Sequence, residues 1–237
     1  MFSGMKLSAE ILRSLAPATA LAGADARCLS LGIEAVDNAL PDGGLPRGAV
    51  VELAAAHSLG QSTSLALSLC ASAQRQAVLR GGQPAWCAWL DVGNTLYAPG
   101  VAAHGVVLDR LLVVRPEAQE LARISARVVS SRVFAVVVID TAGVPGASVT
   151  VPLGRWPNVV RRIALAAQGS DTCVLLLSEL ERSRAAALPV AMRLELARPS
   201  PDRLSLRVAK ERRGRIGALK ELAYTRGAGA SGNRAAG

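Results

Sequence analysis

The stretch "VELAAAHSLGQST", Val51–Thr63, decides the fold. An apolar run passes into a turn of small and polar residues, and that turn passes into residues at helical spacing. A phosphate-binding loop has this layout, with the pattern G-x-x-x-x-G-K-[ST] placed between a strand and a helix. Here the eight positions read Ala55-Ala56-His57-Ser58-Leu59-Gly60-Gln61-Ser62, and Thr63 follows. The second glycine, Gly60, and the hydroxyl of Ser62 are kept. The first glycine is Ala55, whose Cβ disfavours positive φ. The lysine that reaches the terminal phosphates is Gln61, a neutral amide, so the largest local attraction for a triphosphate is missing.

Outward from this stretch, strands and helices alternate. "GAVVELA" follows the turn-rich "PDGGLPRG" and reads as a buried strand. Residues 60–80 carry apolar side chains at helical spacing and stop at Gly81-Gly82. "AWCAWLD" and "DRLLVVRP" read as strands. "PEAQELARISARVVSS" reads as a helix with Pro116 at its first position and acids in its first turn. "VFAVVVID" is an apolar strand closed by Asp140, "GRWPNVVRRIALAAQGS" a helix, and "TCVLLLSE" a strand. From about Ala191 the period becomes two. "AMRLELAR", "RLSLRVAKER" and "IGALKELAY" alternate as half-buried antiparallel strands do.

The fold class expected is therefore α/β: three layers, with a mostly parallel central sheet extended by antiparallel C-terminal strands. Residues 1–27 are expected to form an N-terminal helical segment with Ser8 as its cap, residues 28–225 the core domain, and residues 226–237 a disordered Gly/Ala-rich tail. Ligands of such sheets bind at the carboxyl ends of the strands. Asp91, Asp140 and Glu179 fall at predicted strand ends on that edge, as does the loop around Gly60.

Composition narrows the setting. Half of the 237 residues are hydrophobic and only 3% aromatic, so Ala, Val and Leu build the core. No apolar run reaches the ~18 residues that a membrane span needs. The cysteines, Cys28, Cys70, Cys87 and Cys173, form no CxxC pair, and three lie in apolar segments. A reducing, cytoplasmic setting is expected. With two histidines and no ligand spacing, no metal site is expected. The net charge is +9, which suits a polyanionic partner. Between Arg203 and Arg226 eight basic residues face two acids. Arg203, Arg207, Lys210, Arg212, Arg213, Arg215 and Lys220 are the candidate contacts to DNA or another acidic partner. In alternating strands some of them would simply form a solvated face.

The order and spacing of these motifs resemble the RecA family. "SLGIEAVDNALPDGGLPRGAVVEL" stands directly before the loop, as in that family. "AWLDVGN" resembles the strand that ends in the family's catalytic glutamate, and the matching position is Gly93. "VVVIDTAG" resembles the second nucleotide motif, with Asp140 kept. "LLLSELER" resembles the strand whose terminal glutamine senses the γ-phosphate, and that position is Glu179. The resemblance covers roughly residues 29–225. The stretch between Glu179 and Met192 is too short for the family's long DNA-binding loop.

Three ATPase positions are thus altered at Gln61, Gly93 and Glu179. Phosphoryl transfer depends on positioning and charge neutralisation, which those groups supply, so ATP binding is expected to be lost or weak and hydrolysis absent. A short RecA-like chain with a degenerate site resembles the ImuA family. That resemblance implies an accessory role in SOS-induced mutagenic translesion synthesis. Its implied partners are an ImuB-like Y-family polymerase homologue, an error-prone polymerase subunit, RecA, and DNA as a further partner. The alternatives are a DNA-repair ATPase with a divergent nucleotide site and a SulA-like cell-division inhibitor. For the strand-end acids the alternatives are a carboxylate cluster holding a divalent ion and, for Asp140, a plain turn cap.

Overall fold

The structure is a computed structural model that describes residues 27–56, 61–142 and 151–224. The expected N-terminal helix with Ser8, the Gly/Ala-rich tail, and Gly60 of the loop lie outside the described residues.

Among the described residues, eight strands form one sheet. In chain order they are β3 (Ala49–Ala55), β4 (Cys87–Asp91), β5 (Leu111–Val114), β6 (Val136–Asp140), β7 (Cys173–Glu179), β8 (Met192–Ser200), β9 (Arg203–Glu211) and β10 (Lys220–Ala223). Before them β1 (Cys28–Leu29) and β2 (Leu45–Pro46) make a small antiparallel pair. The spatial order is β10-β9-β8-β3-β7-β6-β4-β5. The six strands from β8 to β5 are mutually parallel, and β9 and β10 extend the sheet antiparallel. This is the expected three-layer α/β fold.

Alternation along the strands sorts side chains onto two cores. Val51 and Leu53 of β3, Leu175 and Leu177 of β7, and Leu194 and Leu196 of β8 join a core on one face. The long helix α2 (Gln61–Leu79) covers that face, inserting Leu65, Leu69 and Ala73 at helical spacing. Val50, Leu90, Val137, Ile139 and Leu176 point to the other face. There α4 (Leu121–Ser130) and α5 (Trp156–Ala167) lie against the sheet. They bury Leu121 and Val129, and Val160 and Ile163, respectively. Three shorter helices, α1 (Glu34–Asp37), α3 (Ala98–Ala103) and α6 (Leu180–Ala186), complete the described elements.

The turn-rich signature ahead of β3 is structural. Asp37 accepts hydrogen bonds from Leu31 N (2.8 Å), Gly32 N (3.1 Å) and Ser30 Oγ (2.7 Å), pinning the chain that enters α1. A Cβ on Gly44 would stand 2.7 Å from the Leu29 carbonyl oxygen, so only glycine lets β1 and β2 pair at this spot. Gly48 takes φ +63°, and a Cβ there would meet Ser170 O at 2.9 Å.

Three local expectations are corrected. The helix expected to start at Pro116 starts at Leu121: Pro116 follows β5, and a turn closed by Glu120 N donating to Glu117 O (2.9 Å) comes first. "AMRLELAR" is parallel to β3 on one side and antiparallel to β9 only on the other. "IGALKELAY" contributes only Lys220–Ala223, with Ile216 and Leu219 left exposed outside the strand. Trp89 is fully buried and Trp156 nearly so, while Trp86 is half-buried with the Arg110 guanidinium 5.3 Å from its ring centroid.

Candidate functional site

Parallel strands align their carboxyl ends, and the register shows which residues meet there. Ala55 of β3 lies opposite Glu179 of β7. Asp140 of β6 lies opposite Asp91 of β4 and Leu177 of β7. The helix α2 begins beside them at Gln61. The residues that the sequence selects therefore share one edge, as the topology requires.

Their side chains are held by the chain's own groups. Asp91 is buried and accepts from Thr95 N and Leu96 N, both at 3.0 Å, with Arg115 Nε at 3.7 Å. It caps the turn that contains Gly93. Asp140 Oδ1 accepts from Ala142 N at 3.1 Å, the turn-cap alternative. The next residue, Thr141, donates its hydroxyl to Leu177 O at 2.6 Å and locks this turn onto β7. Glu179 pairs with Arg182 at 2.9 Å, one turn into α6. The divalent-ion cluster does not assemble: among the described residues no group of three or more His, Cys, Asp or Glu could hold a metal ion. Each carboxylate instead serves its own strand end.

Gln61 is 1% exposed and Ser62 5%, while Thr63 is half-buried. A neutral amide therefore closes the start of α2 where a lysine would carry charge. Glu179 adds a negative group to the same edge. The described donors do not fit a triphosphate with its metal, which needs cations and hydroxyls turned toward the phosphates.

The basic C-terminal residues find different partners. Arg207 lies 3.4 Å from Glu195, which also holds Arg184 at 2.8 Å. Arg203 reaches Glu221 at 4.0 Å. The Lys210 ammonium donates to Leu188 O at 3.0 Å, and burial lowers its pKa. Lys220 is exposed, its ammonium 3.5 Å from Ala39 O. Arg215 is clamped by Asp42 (2.6 Å) and Glu211 (3.1 Å), which raise its pKa and lower theirs. Arg212 and Arg213 stay exposed and form no ion pair with a described carboxylate. Arg207, Lys210 and Arg215 thus have partners within the molecule, Arg203 has an exposed contact with Glu221, and Arg212, Arg213 and Arg215 line one cleft.

Sequence reasoning passed over Glu52. It is fully buried on β3, accepts from Ser178 Oγ at 2.7 Å, and pairs with Arg193 Nε at 2.7 Å. An acid inside an otherwise apolar strand was the available signal.

A mostly parallel sheet in this order, covered by helices on both faces, defines a three-layer α/β class of protein. Residues 17–156 match the family model of the RecA N-terminal domain, and the chain belongs to that family. It is 32% identical over 168 residues to Protein RecA of Rhodospirillum rubrum, covering 66% of this chain and 44% of that protein. It is 37% identical over 136 residues to Protein RecA of Blastochloris viridis, covering 56% and 37%. Against Protein RecA of Pseudomonas fluorescens SBW25 it is 35% identical over 129 residues, covering 53% and 34%. The chain thus spans less than half the length of these relatives. No described helix is long and apolar enough to cross a membrane.

Proposed function

We propose that this chain is a non-catalytic RecA-like accessory protein of SOS-induced mutagenic translesion synthesis. It would bridge an ImuB-like polymerase homologue and an error-prone polymerase subunit, with RecA as a further partner. Membership of the RecA family supports a role in DNA repair and recombination. The observation that carries the non-catalytic part is the buried, neutral Gln61 on an edge whose acids Asp91, Asp140 and Glu179 are each engaged by the chain itself. Fold alone does not give function, and here the altered site argues against turnover.

The test has two arms. Purified protein is assayed for Mg²⁺-dependent ATP turnover with and without single-stranded DNA, and for co-elution with an ImuB-like partner. No turnover together with a stable complex is the expected result. A second reading, a DNA-repair ATPase with a divergent site, draws on one observation: Asp140 keeps its place at the end of β6, one strand from Asp91. Turnover abolished by Asp140→Ala would establish that reading and overturn the first.

A further inference from the structure

β10 is the last strand on its side of the sheet, and among the described residues it pairs with β9 alone. In an antiparallel ladder alternate residues turn their N–H and C=O groups away from the partner. β10 therefore offers part of its backbone as a template for another strand. Lys220 and Leu222 lie on the sheet face that α2 covers. Leu222 packs against that core, and the Lys220 ammonium lies 3.5 Å from Ala39 O.

On the same face, beside the start of β10, is a pocket of about 270 Å³. Leu40, Leu206 and Val208, all buried, form its apolar floor. Ile216, 69% exposed, and Lys220 also line it, and Leu219 next to them is 59% exposed. Its two walls are pinned together. Arg215 donates to Asp42 Oδ2 at 2.6 Å and to Pro41 O at 3.5 Å, and Gly217 N donates to Val208 O at 3.1 Å. A pocket held open in this way costs less to fill.

Size and charge narrow the occupant. The volume is below the roughly 300–1,000 Å³ of small-ligand pockets, so it suits one anchoring side chain. Of the two cations that line it, Arg215 is taken by Asp42 and Glu211, while Lys220 forms no ion pair with a described carboxylate. Arg212 and Arg213, on the same β9–β10 connection, add positive charge nearby. A lysine on an edge strand discourages pairing with a second copy, and it favours a strand that brings a carboxylate. Residues 225–237 contain no acid and no apolar residue larger than alanine, so they do not match the groove. A nucleic acid has no aliphatic side chain for the apolar floor.

We propose that the β10 edge and this pocket are a docking groove for an extended acidic and apolar segment of a partner protein. The segment adds as a strand beside β10, its main chain supplying hydrogen bonds. One apolar side chain enters the pocket, and a carboxylate on the same face of the strand meets Lys220. Main-chain pairing gives affinity in this mode, and the pocket gives specificity.

The test is fluorescence anisotropy of the full chain with a labelled peptide of about nine residues, in which leucine and glutamate alternate on one face and threonine fills the other. Ile216 and Lys220 are exposed, so Ile216→Asp and Lys220→Glu are expected to fold, which thermal unfolding checks. Ile216→Asp is expected to weaken binding about tenfold or more, as loss of an anchor contact does. Lys220→Glu is expected to weaken it about fivefold and to recover with a peptide carrying lysine in place of glutamate. The control Leu165→Asp, at an exposed position on α5, is expected to bind like the wild type. Four outcomes overturn the proposal: no binding by the wild type, Ile216→Asp binding like the control, a proline-interrupted peptide binding as well as the uninterrupted one, or an oligothymidylate displacing the peptide. A wild-type dimer that Ile216→Asp splits would assign the surface to a second copy and overturn it too. Peptide binding without an ImuB-like complex would sink the accessory reading and leave this groove standing, and the complex without peptide binding would do the reverse.

Discussion

Glu52 and Arg193 stand opposite one another on the parallel strands β3 and β8, and their side chains meet at 2.7 Å in the interior. Glu52 is fully buried, and its second oxygen accepts from Ser178 of β7. One carboxylate thus ties three adjacent strands together. Arg193→Ala would leave that charge buried without its partner, and the expected cost is about 3–5 kcal/mol. Replacing both, as Glu52→Leu/Arg193→Met, is expected to recover most of that loss, since a well-packed apolar pair removes the desolvation cost. Urea unfolding of the two variants checks this. Equal destabilisation by both would show that the pair does not act as a unit.

Gln61→Lys restores the loop's missing residue type but puts an ammonium at a buried position. It is expected to lower stability by about 1–3 kcal/mol. It is also expected to give no Mg²⁺-dependent ATP turnover, because Gly93 and Glu179 remain. Chemical denaturation and a phosphate-release assay read the two effects separately. Calorimetry with ATP tests the binding step alone.

Acid should loosen the sheet's C-terminal half first. The Arg184 hydrogen bond, then Arg207, holds the Glu195 carboxyl below its ordinary value of 4.5. Arg215 lowers Asp42 and Glu211 in the same way. A pKa depressed in the folded state contributes stability that is present above the unfolded value and lost as pH falls through the folded one. Thermal stability is therefore expected to decline below about pH 4.5. The decline should be shallower in Glu195→Gln, whose stability lacks that contribution throughout. A pH series of thermal melts for both proteins tests this. Identical slopes would refute the assignment.

The cysteines should divide by reactivity. Burial pushes the Cys173 thiol up to about 12. The Cys87 hydrogen bond and burial raise Cys70. Cys28 is only half-buried, though burial raises it too. The thiolate is the reactive form, so a thiol reagent at about pH 8 is expected to label Cys28 ahead of the other three. The remainder should react only as the protein unfolds. Mass spectrometry of time-resolved labelling reads the order.

Much of the fold could be read from the chain because its signals are local. "GAVVELA" and "TCVLLLSE" are apolar on both faces, which marks strands inside a covered parallel sheet. The strand-final acids Asp91 and Asp140 lie at opposed register positions because parallel strands place their carboxyl ends together. The partners of the basic residues were not legible, since period-two alternation fixes a face and not a neighbour. Neither was the parallel pairing of β8 with β3, because β8 alternates like the antiparallel β9 beside it.

By itself the sequence determined the order of elements, the edge on which the altered loop lies, and the loss of the loop's lysine, because these follow from residue identity and short-range spacing. Only the tertiary structure decided which charges are neutralised. Arg215 is clamped by Asp42, whereas Arg212 and Arg213 lie beside Arg27, Arg47 and Arg80 in one cleft. Coulomb energy depends on distance through space, and those distances are set by which strands become neighbours and where each ends.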